Sequence, residues 1–187
     1  VWDAEPFIVT RLTVIGAGTV GCLVAFFASR VGGCDVELVD IDAGRAAIAR
    51  ELGVRFAQPE SASAGAEAIV HTSGSPSGLE LALNMAGFEA TIVDASWYGD
   101  RLVTLPLGGA FHSRRLTIKS SQVGAVAPSH RARCDCSGRM QLALESLKDA
   151  ALDALITGES AFDDLPRVMP ALAASPGATL CHRIRYV

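Results

Sequence analysis

The sequence has few charged and few aromatic residues, and it lacks an apolar stretch long enough to cross a membrane. Charged residues make up 19% and aromatic residues 6% of the 187 residues. The longest apolar stretch, about residues 20–28, falls well short of the roughly 20 residues that a membrane-spanning helix needs. No basic segment precedes an apolar segment near the amino end, so we predict no signal peptide, a cytoplasmic location and no membrane partner.

Basic residues are also too few for a surface that binds nucleic acid. The chain has 16 Lys and Arg against 20 Asp and Glu, a net charge of −4 and a pI of about 5.5. Because no basic stripe interrupts this acidic balance, we expect no nucleic acid partner. Half of the residues are apolar and the mean hydropathy is +0.33. This composition favours one domain whose apolar strands are covered by helices on both faces of a sheet.

The cysteines lack the spacing of a metal site or of a disulfide framework. There are five, an odd number, and they are scattered along the chain. Cys134 and Cys136 have one residue between them and His130 nearby, whereas a zinc site normally needs C-x₂₋₄-C and a second pair of ligands. We therefore predict reduced thiols and no metal site in this chain.

What the sequence does have is a strand, three glycines and a helix in direct succession, in the segment LTVIGAGTVGCLVAFFASR. Gly16 allows a tight turn off the strand, Gly18 allows a pyrophosphate to approach the backbone, and Gly21 allows the helix to pack close to the strand. The first N–H groups of the helix, including those of Thr19 and Val20, favour phosphate binding. Strand, glycines and helix together are the dinucleotide-binding pattern.

An acidic residue stands where the ribose of a dinucleotide would need it. Asp40 ends the second predicted strand, about 20 positions after Gly21. Its carboxylate would accept hydrogen bonds from the adenosine ribose and repel a 2′-phosphate. Ile41 follows instead of Arg, so we predict NAD in preference to NADP. Arg45 is either a second ribose contact or a solvated residue of the next helix.

The remaining chain alternates predicted strands and helices, which predicts a Rossmann α/β fold with a doubly wound, parallel six-stranded sheet and helices on both faces. The strands are expected at residues 12–15, 36–39, 54–56, 68–72, 90–94 and 116–120, and helices at 19–31, at 43–52 and from 77. We predict a single NAD(P)-binding domain over residues 1–187. Its C-terminal extension, about 136–187, is expected to hold helices at 139–148 and 163–173 and strands at 152–156 and 179–186.

Ligands of doubly wound sheets bind at the carboxyl ends of the strands. The loops predicted there are rich in hydroxyls and small residues, as a nicotinamide-ribose site requires. His71 and Asp94 end two of these strands, and we predict packing or turn roles for them and not acid–base catalysis. The candidate residues in the loops are Thr72, Ser73, Gly74, Ala95, Ser96 and Gln122.

Two other ligand classes use a similar glycine-rich turn. FAD enzymes need much more chain around the flavin ring than 187 residues provide. Methyltransferases that bind a nucleoside cofactor usually carry a D-x-G-x-G loop, unlike the segment VIGAGTVG found here. The nicotinamide dinucleotides therefore fit the sequence best.

The order of segments resembles the medium-chain dehydrogenase/reductase family, the zinc-type alcohol dehydrogenases. The matching pieces are VIGAGTVG, VDIDAGRAAIARELGV, IVHTSGSPSGLELALNMAG and the tail FDDLPRVMPALAASPGATLCHRIRY, so the resemblance covers residues 12–186. The segment SWYGDRLVTLPLGGAFHSRRLTIKSSQVG is similar to a branch of that family grouped with the bacteriochlorophyllide hydroxyethyl dehydrogenases.

The resemblance implies that the chain is the C-terminal NAD-binding domain of a larger alcohol or polyol dehydrogenase. In that family a separate N-terminal domain carries the catalytic zinc, the proton relay and much of the pocket for the alcohol substrate. We therefore expect this chain to bind NAD(H), to hold no catalytic residue and to be nearly inactive alone. The resemblance also implies a homodimer formed at the edge of the sixth strand. The alternative is a stand-alone NAD(H)-binding module or redox sensor.

Overall fold

A parallel six-stranded sheet forms the centre of the computed structural model, which describes residues 1–5, 11–174 and 177–186. Its strands are β1 (Arg11–Ile15), β2 (Asp35–Val39), β3 (Arg55–Ala57), β4 (Ala66–His71), β5 (Ala86–Asp94) and β6 (Thr117–Ser120). They lie in the order β3-β2-β1-β4-β5-β6. This is the doubly wound order, with the topological switch between β1 and β4, and it confirms the predicted fold.

Helices connect these strands across both faces of the sheet. They are α1 (Thr19–Ser29), α2 (Arg45–Glu51) and α3 (Pro76–Met85), followed by α4 (Cys136–Ser146) and α5 (Leu165–Ala174). Pro76 begins α3 at a position where its missing N–H costs no hydrogen bond. Asp135 caps α4, because its carboxylate accepts the Gly138 N–H at 2.7 Å. In the described part of the chain, none of the helices has the length and apolar character needed to cross a bilayer.

Alternation along the strands divides the core between the two faces of the sheet. Val14 packs in one cluster with Phe26 of α1, whereas Ile15, its neighbour in β1, packs in the other with Leu83 of α3. Successive side chains of a strand point to opposite faces, so the residues of a strand covered on both sides are buried and mostly apolar. The four residues of β1 after Arg11 are accordingly all buried.

The C-terminal part confirms three predicted elements and corrects one. The helices expected at 139–148 and 163–173 are α4 and α5, and the strand expected at 179–186 is β8 (Cys181–Arg185). The strand expected at 152–156 is wrong, because Ala150–Leu155 is a 3₁₀-helix and β7 begins at Ile156 and ends at Ala161. Leu152 and Leu155 are both buried in the cluster that contains Phe26 of α1. Because they lie three residues apart, one turn of 3₁₀-helix places both side chains on the same face.

Candidate functional site

The glycine turn after β1 packs against the loop that follows β4. Gly16 has a φ of +103°, a conformation that residues with a side chain rarely adopt. Its N–H donates to the Val39 carbonyl at 2.8 Å, which joins the turn to the end of β2. A Cβ at Gly16 would lie 2.7 Å from both N and Cα of Ser73. Only glycine therefore allows these two loops to meet at the switch point.

The two other glycines of the turn have opposite surroundings. Among the described residues, no atom apart from those of Gly18 and its two chain neighbours lies within 4 Å of a Cβ placed at Gly18, so open space faces the beginning of α1. A Cβ at Gly21 would collide with the Gly16 carbonyl oxygen and lie 2.7 Å from Thr72 Oγ1. Thus Gly18 leaves room for a ligand at the N–H groups of Thr19 and Val20, and Gly21 allows α1 to pack on the turn.

Asp40 is bonded directly to the glycine turn. Its Oδ2 accepts the Ala17 N–H at 2.6 Å, and its Oδ1 accepts the Asp42 N–H at 2.8 Å. Each carboxylate oxygen can accept more than one hydrogen bond, so the side chain retains capacity for ligand hydroxyls. Ile41 beside it is 84% exposed and contributes no charge. The sequence predicted the position of Asp40 but not its bond to Ala17.

Arg45, the candidate second ribose contact, is engaged elsewhere. Its Nε lies 3.2 Å from Asp42 Oδ2, and its Nη1 donates to the Ala178 carbonyl at 3.1 Å. The same C-terminal segment contacts α1, where Thr19 Oγ1 donates to the Leu180 carbonyl at 2.9 Å. The segment before β8 is therefore a neighbour of the glycine turn, a contact between distant parts of the chain that no local pattern indicated.

The loops after β4 and β5, predicted for the nicotinamide side, come together at the same edge of the sheet. Thr72 Oγ1 lies 2.8 Å from the Gly16 carbonyl oxygen, to which it donates. The Gly74 N–H donates to Ser96 Oγ at 3.0 Å. In contrast, the Gln122 side chain accepts the N–H of Gly124 in its own turn and lines a separate groove with residues of α1 and α4.

A polar network that the sequence did not reveal lies under these two loops. The His71 side chain is fully buried, with Nε2 2.7 Å from Ser73 Oγ and Nδ1 2.9 Å from Asp94 Oδ1. Ser96 Oγ and the Tyr98 hydroxyl approach Nδ1 at 3.2 Å and 3.3 Å. His71 and Asp94 pair in the register of β4 and β5, which explains how the topology brings them together.

Burial and hydrogen bonds together determine the charges in this network. Burial alone would raise the pKa of Asp94, but hydrogen bonds from His71 and from the Ser96 N–H outweigh it and hold the pKa below its ordinary value. Burial, together with the Asp94 charge, raises the pKa of Tyr98 to about 12. Asp94 is therefore an anion that only accepts hydrogen bonds, so Nδ1–H of His71 donates to it.

The Ser73–His71–Asp94 order is also that of a nucleophilic serine relay. Such a site needs free backbone N–H groups to stabilise an oxyanion. Here the Gly74 N–H is bonded to Ser96 Oγ, and the Ser75 N–H donates to Ser73 Oγ itself at 3.2 Å. Neither N–H group is therefore free to stabilise an oxyanion beside Ser73. Nor does the described part of the chain contain a group of three or more His, Cys, Asp or Glu residues arranged to hold a metal ion.

Known proteins that resemble this chain are found among solved structures. No protein-family model and no curated protein matches the chain. Among solved structures, L-idonate 5-dehydrogenase from Escherichia coli K-12 matches with a TM-score of 0.78 at 14% identity, over 97% of this chain and 51% of its own. An alcohol dehydrogenase from Thermotoga maritima matches with a TM-score of 0.78 at 15% identity, over 100% and 54%.

The chain has the fold of one half of these dehydrogenases. A third match, a protein described as a short chain alcohol dehydrogenase of Escherichia coli CFT073 and solved with NADH, has a TM-score of 0.74 at 17% identity over 97% of this chain and 53% of its own. The chain thus spans about half the length of the solved chains that it matches. The fold expected from the resemblance to zinc-type medium-chain dehydrogenases is confirmed.

Proposed function

We propose that the chain is the NAD-binding domain of a zinc-type medium-chain dehydrogenase that transfers hydride between a secondary alcohol and nicotinamide. The observation that carries the proposal is the bond between Asp40 and Ala17, which joins the carboxylate proposed to bind the ribose to the turn proposed to bind the pyrophosphate. The open space at Gly18 supports the same ligand, since a pyrophosphate needs that approach to the backbone.

The charges around the turn support NAD in preference to NADP. In this proposal the Asp40 carboxylate would face the 2′-phosphate of NADP, and two negative groups close to each other repel. The cation that could offset this repulsion, Arg45, is paired with Asp42 and bonded to the Ala178 carbonyl. The exposed Ile41 adds no hydrogen-bond donor from its side chain. An NADP-specific site would require a free arginine at this edge.

The division of labour in the proposed enzyme follows from what this chain contains. NAD accepts or donates the hydride when bound. The residues of this chain hold the pyrophosphate at the glycine turn, the adenosine ribose at Asp40 and the nicotinamide side at the loops after β4 and β5. The catalytic zinc and the alcohol pocket belong, in this proposal, to the other half of a chain about twice as long.

A binding experiment on the 187-residue chain tests the proposal. Titration with NADH, followed by calorimetry or by nicotinamide fluorescence, should show saturable binding that is tighter than binding of NADPH. Absence of binding at millimolar NADH would contradict the cofactor assignment. Sequencing the reading frame upstream of Val1 tests the dehydrogenase assignment separately, because a domain with zinc ligands supports it and a start codon at Val1 favours a stand-alone module.

A further inference from the structure

His71 occupies a position where an apolar residue would be expected. The central strands of a sheet covered on both faces are usually apolar throughout. His71, at the end of β4, is 0% exposed, and both of its ring nitrogens are bonded. Burial of an imidazole costs free energy unless its hydrogen bonds are satisfied, and here several groups satisfy them. A buried and fully bonded histidine in such a strand calls for a physical reason.

The network around His71 connects two separate loops. Ser73 belongs to the loop after β4, and Asp94 and Ser96 belong to the end of β5 and the loop after it. Backbone groups reinforce the connection, because the Ala95 N–H donates to the His71 carbonyl at 2.9 Å and the Gly74 N–H to Ser96 Oγ at 3.0 Å. The two loops are therefore bonded into one unit, with the imidazole at its centre.

A glycine in α3 provides independent evidence that space is kept for this unit. Gly78 lies in the first turn of α3, although glycine is a poor helix former. A Cβ at this position would collide with Ser73 Oγ and lie 2.8 Å from His71 Nε2. Glycine at position 78 therefore leaves room for the hydrogen bond between Ser73 and His71, which a larger residue would displace.

The network lies on the opposite side of the switch point from Asp40. Asp40 follows β2, whereas His71 and Asp94 end β4 and β5, on the other side of β1 in the strand order. A dinucleotide bound across the switch point places one nucleotide on each side. The network therefore lies on the side of the ligand away from Asp40, and its contact with the glycine turn is made by Ser73.

We propose that His71 and Asp94 are positioning residues that fix the loops after β4 and β5 against each other to receive the nicotinamide half of the cofactor. This inference rests on the proposed function. Neither side chain needs to touch the cofactor. Their effect passes through Ser73 and Ser96 and through the backbone of the two loops. Loosening this unit should weaken binding of a ligand that carries nicotinamide and leave binding of one without it unchanged.

The test compares NADH with ADP-ribose, which lacks the nicotinamide, on the full chain. His71→Gln and Gly78→Ala should each weaken NADH binding about tenfold, the equivalent of one lost hydrogen bond or slightly more, with ADP-ribose affinity within about twofold of the wild type. Gly78→Ala removes no polar group and improves helix propensity, so it remains informative if His71→Gln folds poorly. Glu80→Gln, at an exposed position of the same helix, is the matched control and should change neither affinity.

Two results would overturn the inference. Equal weakening of both ligands would show that the network only stabilises the fold, and unchanged NADH affinity in both variants would show that the loops do not depend on it. Failure of the proposed function looks different, because the wild-type chain would then bind neither NADH nor ADP-ribose.

Discussion

The Ala17 N–H donates to Asp40 Oδ2 at 2.6 Å, so the turn after β1 and the acid after β2 form one bonded unit. The Gly16 N–H adds a second bond between the turn and the end of β2, because it donates to the Val39 carbonyl. A charge-assisted hydrogen bond of this kind is among the stronger ones in proteins. Asp40 therefore holds the turn, and the proposed function gives it a second role, the selection of the ribose, which substitutions can separate from the first.

Asp40→Asn should change cofactor selectivity and lower stability less than Asp40→Ala does. The amide oxygen can still accept the Ala17 N–H, although the amide NH₂ group cannot accept the Asp42 N–H. The negative charge that would repel a 2′-phosphate is gone. We expect the preference for NADH over NADPH to narrow about fivefold, from the loss of one close charge repulsion of about 1 kcal/mol. Asp40→Ala should narrow it equally and also lower the free energy of unfolding by about 1 kcal/mol.

Titration of both variants with NADH and NADPH, together with urea unfolding, measures these effects. An unchanged NADH to NADPH ratio in both variants would remove Asp40 from ribose selection.

Gly18→Ala and Gly21→Ala should separate ligand binding from folding. Gly18 has a φ of −74°, which alanine adopts, and a methyl group there enters open space. We expect its free energy of unfolding to change by less than about 1 kcal/mol, although NADH affinity falls strongly because the methyl group occupies the pyrophosphate position. Gly21→Ala should lower the free energy of unfolding by about 1–3 kcal/mol, because the methyl group collides with the Gly16 carbonyl oxygen.

Urea unfolding and NADH titration of the same two proteins check this pair. Normal NADH affinity in Gly18→Ala would contradict the pyrophosphate site, whatever the behaviour of Gly21→Ala.

The sheet could be predicted from the sequence because its signals are local. Apolar strands, glycine turns and helical periodicity recur through residue 120, and all six strands lie where they were predicted, within a few residues. The error at 152–156 arose where a short apolar run fits either a strand or a turn of helix. There the choice depends on α1 and α2, against which Leu152 and Leu155 are buried, and that packing is not local.

The candidate site was likewise predicted only in part. The glycines and Asp40 were predictable because fixed spacing along the chain gives them their roles. The His71 network was missed because it depends on the register between β4 and β5, which aligns His71 with Asp94. One signal could have revealed it: a histidine and an aspartate end consecutive parallel strands, and a serine follows each by two residues.

Cys22 should resist alkylation in the folded protein, although it follows the glycine turn directly. Its side chain is 0% exposed, and burial is the main cause that raises its pKa to about 11. The reactive thiolate is therefore scarce at pH 8. Mass spectrometry after iodoacetamide treatment should find Cys136, which is exposed, modified first and Cys22 modified only after denaturation. Early labelling of Cys22 would show that α1 opens away from the turn.

Asp94 should make the folded state sensitive to acid. Its pKa in the folded protein lies below the ordinary value of 3.8, because the hydrogen bonds from His71 and Ser96 outweigh the effect of burial. A carboxyl group of this kind stabilises the fold fully above its unfolded-state pKa. It loses that contribution as the pH falls through the lower folded-state value. Asp94→Asn carries no charge to titrate, so the difference in unfolding free energy between wild type and variant should shrink from pH 6 to pH 3.

Urea unfolding at each pH, followed by circular dichroism, measures that difference. Asp100→Asn, at an exposed carboxyl group six residues later, is the matched control and should show a difference from wild type that varies less with pH. Because the other carboxyl groups titrate in both proteins, their contributions cancel in each comparison. A difference for Asp94→Asn that stays constant or grows toward pH 3 would contradict the hydrogen-bonded carboxylate that the structure places beside His71.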